Sequence, residues 1–156
     1  MTSPSPLATI DFLTHSKIKI AAGLAAIWPH ILDIERWRDS QKLISVSGEP
    51  GRVGARFHAV SRDAPETPLF HVENVELVSE HRRTIRLEGL DGSFLGFATW
   101  ELTPNGGETV VAYDVYCRGA MLPPGQSADD LLASAHRMMD EGLLRLKAIV
   151  EQGMAP

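Results

Sequence analysis

The sequence predicts an α+β domain in which a curved, seven-stranded antiparallel sheet wraps a long C-terminal helix. Three observations carry this. Six strand-like segments follow one another between residues 43 and 117 with turn signals and no helix between them. One further strand-like segment precedes a short helical stretch near the N-terminus. After Ser127 an apolar stripe with helical spacing runs for about six turns.

Residues 1–8 carry two serines and two prolines and nothing to pack, so they are expected to form a flexible tail ahead of a single domain over residues 9–153. From Ile10 to Ile20 the chain alternates, with Ile18 and Ile20 set against Lys17 and Lys19, as a half-buried strand does. Between Ala21 and Leu32 the period changes to that of a helix, through Leu24, Ile27, Trp28 and Ile31, and Ile34 to Ser40 reads as a second short helix. Pro29 lacks an amide hydrogen and crowds the carbonyl four residues back, which predicts a kink or a break there.

The strands that follow are Leu43–Val46, Val53–Val60, Leu69–Val78, Thr84–Leu87, Phe94–Leu102 and Thr109–Cys117. Polar or Gly/Pro-rich segments separate them, among them the stretch from Ser79 to Arg83; Asp91-Gly92 and Asn105-Gly106 are the strongest hairpin signals. Connections this short force antiparallel neighbours, because a parallel crossover needs a dozen or more residues. At the last helix Ser127 can cap the N-terminus, with Asp129 and Asp130 in the first turn where the macrodipole favours negative charge. Its stripe is Leu132, Ala135, His136, Met139, Leu143, Leu146 and Val150, and Asp140 falls on the opposite, charged side.

Composition narrows the function classes. The 156 residues are 44% apolar, and 15 basic against 20 acidic residues leave a net charge of −5. No basic patch capable of engaging phosphates is visible, which argues against nucleic acid as a partner. Cys117 is the only cysteine, so neither an intrachain disulfide nor a thiolate zinc cluster can form. No secretory signal or bilayer-length apolar run is present, and the expected location is the cytoplasm. Neither a metal nor a cofactor is expected: His71-Val72-Glu73 lacks the Pro-Cys-x-x-Cys of zinc deaminases, and no dinucleotide, phosphate-loop or hydrolase-elbow motif occurs.

The element order is that of the helix-grip architecture, and four segments resemble the START/Bet v 1-like (SRPBCC) superfamily, in particular its bacterial polyketide cyclase/dehydrase and lipid-transport branch. They are Ile18 to Ala22 with Ile27 to Trp37; Gly51 to Phe57; Trp100 to Val110; and Gly142 to Glu151. The resemblance implies an apolar, ligand-sized cavity between helix and sheet. It implies a binder or transporter of a lipid, polyketide or isoprenoid, a cofactor-free aromatase/cyclase, or an interaction protein whose cavity is filled.

Residues expected to line such a cavity are Trp28, Phe57, Trp100, Tyr113, Leu132, His136, Met139 and Leu143. The alternative for each is solid core. Within the stripe, His136 must pair its nitrogens with protein or with a ligand. His71 and Glu73 share one strand face; turned inward they would form a general-base pair, turned outward they are solvated. Alternation places Arg86 and Asp114 outside and Tyr113 inside. Cys117 reads as a small buried hydrophobe. The loop from Arg118 to Gly125 is either a lid or a rigid double-proline turn.

Overall fold

A computed structural model describes residues 8–33 and 41–153. Residues 1–7 of the expected tail and the helix expected over 34–40 lie outside these described residues. The order is β1 (Thr9–Ile20), α1 (Leu24–Leu32), β2 (Gln41–Ser47), β3 (Arg56–Ser61), β4 (Ala64–Val78), β5 (Arg82–Gly89), β6 (Leu95–Asn105), β7 (Glu108–Met121) and α2 (Ala128–Glu151). The strands form one antiparallel sheet in the order β1-β7-β6-β5-β4-β3-β2, so the meander runs from β2 to β7 and β1 joins it beside β7.

Both hairpin signals are realised, since Gly92 and Gly106 adopt φ of 77° and 65°, a region open to glycine at little cost. Several strand boundaries differ from expectation: β4 already begins at Ala64 and not at Leu69, and β7 runs on to Met121, so Arg118 to Met121 of the expected loop are strand. Val53 is 61% exposed in the connection before β3, held in a turn by Ala55 N–H donating to the Arg52 carbonyl. Arg82 and Arg83 are the first residues of β5, not part of the preceding turn. Pro29 is accommodated inside one short helix. The backbone hydrogen bond it forfeits is offset by the burial of Ile27, Trp28 and Ile31 around it, each apolar side chain contributing about 1.5–3 kcal/mol.

The helix α2 begins as its sequence requires. Ser127 Oγ accepts from the Asp130 amide at 3.1 Å while Asp130 Oδ2 accepts from the Ser127 amide at 3.0 Å, a reciprocal cap that satisfies two otherwise orphaned donors. Its stripe then buries Met139, Leu143, Leu146 and Val150 in a single core with Ile20, Ile27, Ile31, Ile85, Trp100 and Val111.

Candidate functional site

The register defines the face of the sheet that meets α2. Phe12, Cys117, Gly96, Leu87, Val72 and Phe57 form one cross-strand row, and Thr14, Val115, Ala98, Ile85 and Asn74 form the next. The centre of these rows is built of small residues, Gly96, Ala98 and Cys117, with Thr14 at one margin and Ala59 and Gly89 at the other. A bulky side chain at such positions would fill the concavity of a curved sheet; a glycine or alanine leaves room above it.

The long helix runs in step with β1. Ser16 Oγ donates to Asp140 Oδ1, Lys147 Nζ donates to the Lys19 carbonyl at 3.0 Å, and the Ala21 amide donates to Glu151 Oε2 at 2.8 Å. Eleven helical residues and five strand residues each span about 16 Å, so one element tracks the other along its length. The side chains of α2 change character along this path. From Met139 onward the stripe is sealed, with Met139 at 4% and Leu146 at 0% exposure, whereas Leu132 and Ala135 are only half-buried. On the sheet the same drop occurs at Phe12, Leu87, Phe70 and Cys117. The C-terminal half of α2 is therefore clamped on solid core, and its N-terminal half covers the small-residue centre loosely.

Two expectations for α2 are corrected here. His136 does not lie in the buried stripe: its side chain is 51% exposed, and Nδ1 stands 3.3 Å from Asp140 Oδ2. It sits at the rim of the stripe, in the half of the helix that is loosely covered. Asp140, expected on the solvated side, instead joins the helix to β1 through Ser16, which is 8% exposed.

The anchors of α2 carry an acid dependence. The Ala21 amide, then the Lys147 ammonium, hold the Glu151 carboxyl below the usual glutamate range, and the Ser127 amide and hydroxyl hold Asp130 below the aspartate range. Because the folded values are lowered, the stabilisation is present above the unfolded pKa values of about 4 and is lost as pH falls through the folded ones. The expected result is a thermal midpoint that declines on acidification below about pH 4.5, less steeply in an Asp130→Asn/Glu151→Gln double variant. Parallel melting curves of the two proteins against pH check it; identical slopes refute it.

The expected cavity-lining residues divide into groups. Trp100 and Tyr113 stack with ring centroids 4.8 Å apart and planes 13° from parallel, and with Met139 and Leu143 they form tightly buried core. Phe57 is 7% exposed at the end of its inner row. Leu132 stands over the loosely covered half, and Trp28 at the opposite end of the grip, on α1. His71 and Glu73 face outward with Arg86 and Glu88 around a shallow depression of about 260 Å³ on the outer side of the sheet. Glu73 Oε1 accepts from Arg56 Nε at 2.9 Å there, so His71 and Glu73 are not an inward general-base pair. Asp114 is exposed and Tyr113 buried. At Cys117, burial and then the nearby Asp11 charge push the thiol up, away from the thiolate a nucleophile needs.

The strongest polar feature of the interior escaped sequence reasoning. Arg83 is 1% exposed on the inner side of β5. Its Nε and Nη2 donate to Asn74 Oδ1 at 3.1 and 2.7 Å, and its Nη1 donates to the carbonyls of Ile31 and Leu32 at 2.7 and 3.1 Å. Asn74, wholly buried, passes the connection on by donating from Nδ2 to the carbonyls of Pro50 and Arg52. A guanidinium at the C-terminal end of α1 satisfies carbonyls that the helix leaves open and meets the negative end of its dipole. Burial pushes Arg83 down to about 10, opposed by the charge of Asp33. The signal available in the sequence was alternation: Arg83, Ile85 and Leu87 are separated by two, and an arginine in phase with two aliphatics on a strand is a candidate for burial.

Beside this hub the structure holds a depression of about 580 Å³ walled by Trp28, Leu32, Val53 and Leu77, with Arg52 and Ser79 at its polar side. Trp28 belongs to the core, and Leu32 and Leu77 pack against it, so the floor of the depression is continuous with the interior of the grip. The volume falls within the range of roughly 300–1,000 Å³ typical of small-molecule sites.

The profile of the family described as polyketide cyclase / dehydrase and lipid transport matches residues 12–151. The chain belongs to that family. Solved structures share its fold. The protein is similar to TTHA0849 from Thermus thermophilus (TM-score 0.67, 18% identity, 92% of this chain and 99% of that one). It is similar to CalU16 from Micromonospora echinospora (TM-score 0.60, 14% identity, 92% and 86%). It is also similar to DynU16, a protein of the dynemicin biosynthetic locus (TM-score 0.64, 18% identity, 91% of this chain), of which it spans 48%. No functionally curated protein matches the sequence.

For this polyketide cyclase/dehydrase family member the donor set of the described residues sets limits. Among them no group of three or more His, Cys, Asp or Glu side chains is placed to hold a metal ion, and no helix is long and apolar enough to cross a membrane.

Proposed function

We propose that the protein binds a hydrophobic small molecule, a lipid, polyketide or isoprenoid, between its helices and the inner face of its sheet. The observation that carries this reading is the 580 Å³ depression whose apolar wall, Trp28, Leu32 and Leu77, continues into the core. Affinity at such a site comes mainly from apolar area removed from water, about 25 cal/mol per Å² before the cost of association. Binding here calls for no acid or base, and membership of a family described by both cyclisation and lipid transport supports an apolar ligand in either role.

A cyclase-type enzyme is the second reading, favoured by one arrangement. Ser16 Oγ donates to Asp140 Oδ1, and the other carboxylate oxygen of Asp140 stands 3.3 Å from His136 Nδ1, at the seam between β1 and α2 where a polar group of a bound molecule would meet a proton donor and acceptor.

Native mass spectrometry of freshly purified protein and thermal melts with added palmitate test the proposal together. The expected result is a co-purifying apolar molecule, or a palmitate-dependent rise in melting temperature corresponding to about 2.7 kcal/mol at a hundredfold excess over Kd. Val53→Arg, at an exposed rim position, is expected to weaken that response about tenfold or more, and His136→Ala to leave it unchanged. An empty protein that no apolar probe stabilises overturns the reading. Turnover of a polyketide substrate lost in His136→Ala, with binding intact, favours the enzyme.

A further inference from the structure

The depression beside Trp28 is walled by segments far apart in the chain. Trp28 and Leu32 come from α1, Gly51, Arg52 and Val53 from the connection between β2 and β3, and Leu77 from β4. A bulge in β4 sets the sheet beneath them. The β4–β5 register shifts between Asn74 and Glu76, so Asn74 pairs with Ile85 while Leu77 pairs with Arg83. Regular alternation puts residues three apart on opposite faces; the extra residue lets Asn74 and Leu77 both face inward with Ile85 and Arg83. Bulges of this kind often re-aim side chains beside functional sites.

The buried Arg83–Asn74 pair then holds both remote walls. Arg83 reaches the carbonyls of Ile31 and Leu32 at the end of α1, and Asn74 Nδ2 reaches those of Pro50 and Arg52 in the connection. Beside it the Gly54 amide donates to the Asn74 carbonyl at 2.8 Å, and the Asn74 amide to the Ala55 carbonyl at 2.9 Å. The connection turns through φ of 76° at Gly48 and 90° at Gly54. Residues 48–54 are all exposed, so this wall has little apolar burial to fix it and depends on the hydrogen bonds from Asn74.

On the reading that the depression takes an apolar ligand, we propose that Asn74 and Arg83 are its positioning residues, fixing the spacing between the α1 wall and the β2–β3 wall. Neither side chain lines the depression; both act through main-chain carbonyls of the residues that do, or of their neighbours. A mouth held before binding avoids the cost of ordering the connection when the ligand arrives. Loosening it lowers affinity without removing apolar surface.

Asn74→Asp separates this role from a structural one. The carboxylate still accepts from Arg83, but it has no N–H for the Pro50 and Arg52 carbonyls. Calorimetric titration with palmitate is expected to show Kd raised about tenfold or more. Hydrogen exchange is expected to quicken about tenfold or more at the Arg52, Gly54 and Ala55 amides and to stay unchanged in β6 and β7. A merely structural Asn74 would quicken exchange in β6 and β7 as well and leave the Kd of the folded fraction unchanged. The wild type gives a second reading should the variant not fold. Saturating palmitate is expected to slow exchange at Gly54 and also at Asp33, whose amide closes α1 on the Pro29 carbonyl. Palmitate affinity indifferent to Asn74→Asp, or slowing at one wall alone, overturns the positioning role and leaves the ligand site standing. A wild type in which no apolar probe binds overturns both.

Discussion

Replacing Arg83 with methionine is expected to lower stability by about 3–5 kcal/mol, the range for breaking a buried, hydrogen-bonded charge arrangement by removing one partner. The side chain is 1% exposed and ties Asn74 to the carbonyls of Ile31 and Leu32. Without it, those acceptors are stranded in the interior, and a buried polar group without a partner costs about 1–3 kcal/mol each. Methionine refills most of the volume, so the loss reports the polar connections and not a cavity. Arg83→Lys is not expected to rescue, because one ammonium cannot reproduce a planar fork that reaches a side-chain amide and a helix terminus together. Urea unfolding measures both variants. A loss below about 1 kcal/mol for Arg83→Met would show that the hub contributes little net stability.

The second large effect is expected at Trp100. It is fully buried and stacked on Tyr113, so Trp100→Ala is expected to cost about 3–5 kcal/mol, with roughly 0.5–1.5 kcal/mol of that from the stack. Trp100→Phe is expected to lose much less, since it retains an aromatic plane against Tyr113. Calorimetric or urea melts of the pair decide the matter. A Trp100→Ala variant as stable as the parent would mean that this part of the interior is not the solid core described here, and the boundary between core and ligand space would have to be redrawn.

Much of the fold was legible because each element carries its own local signal. Helical spacing from Met139 to Val150, the Ser127 cap, the two glycine hairpins and the absence of helices between residues 43 and 117 together specify an antiparallel meander closed by a long helix. Alternation also placed Tyr113, Arg86 and Asp114 on the correct faces. The site was less legible. His136 shares the period of the stripe, yet period alone cannot tell a rim position from a central one when the helix is sealed over only part of its length. Asp140 reads as solvated because its helical neighbours are charged, and its partner Ser16 lies 124 residues away. Arg83 was assigned to a turn because two adjacent arginines look like surface, although only Arg82 is.

The amino-acid order by itself determined which segments become strands and helices and which of their faces are apolar, since periodicity, capping and turn chemistry act over a few residues. Only the tertiary structure decided how far α2 is pressed onto the sheet, where space remains beside Trp28, and that a guanidinium from β5 fastens α1. Those outcomes depend on shape and hydrogen bonding between residues far apart in the chain, and no local pattern encodes them.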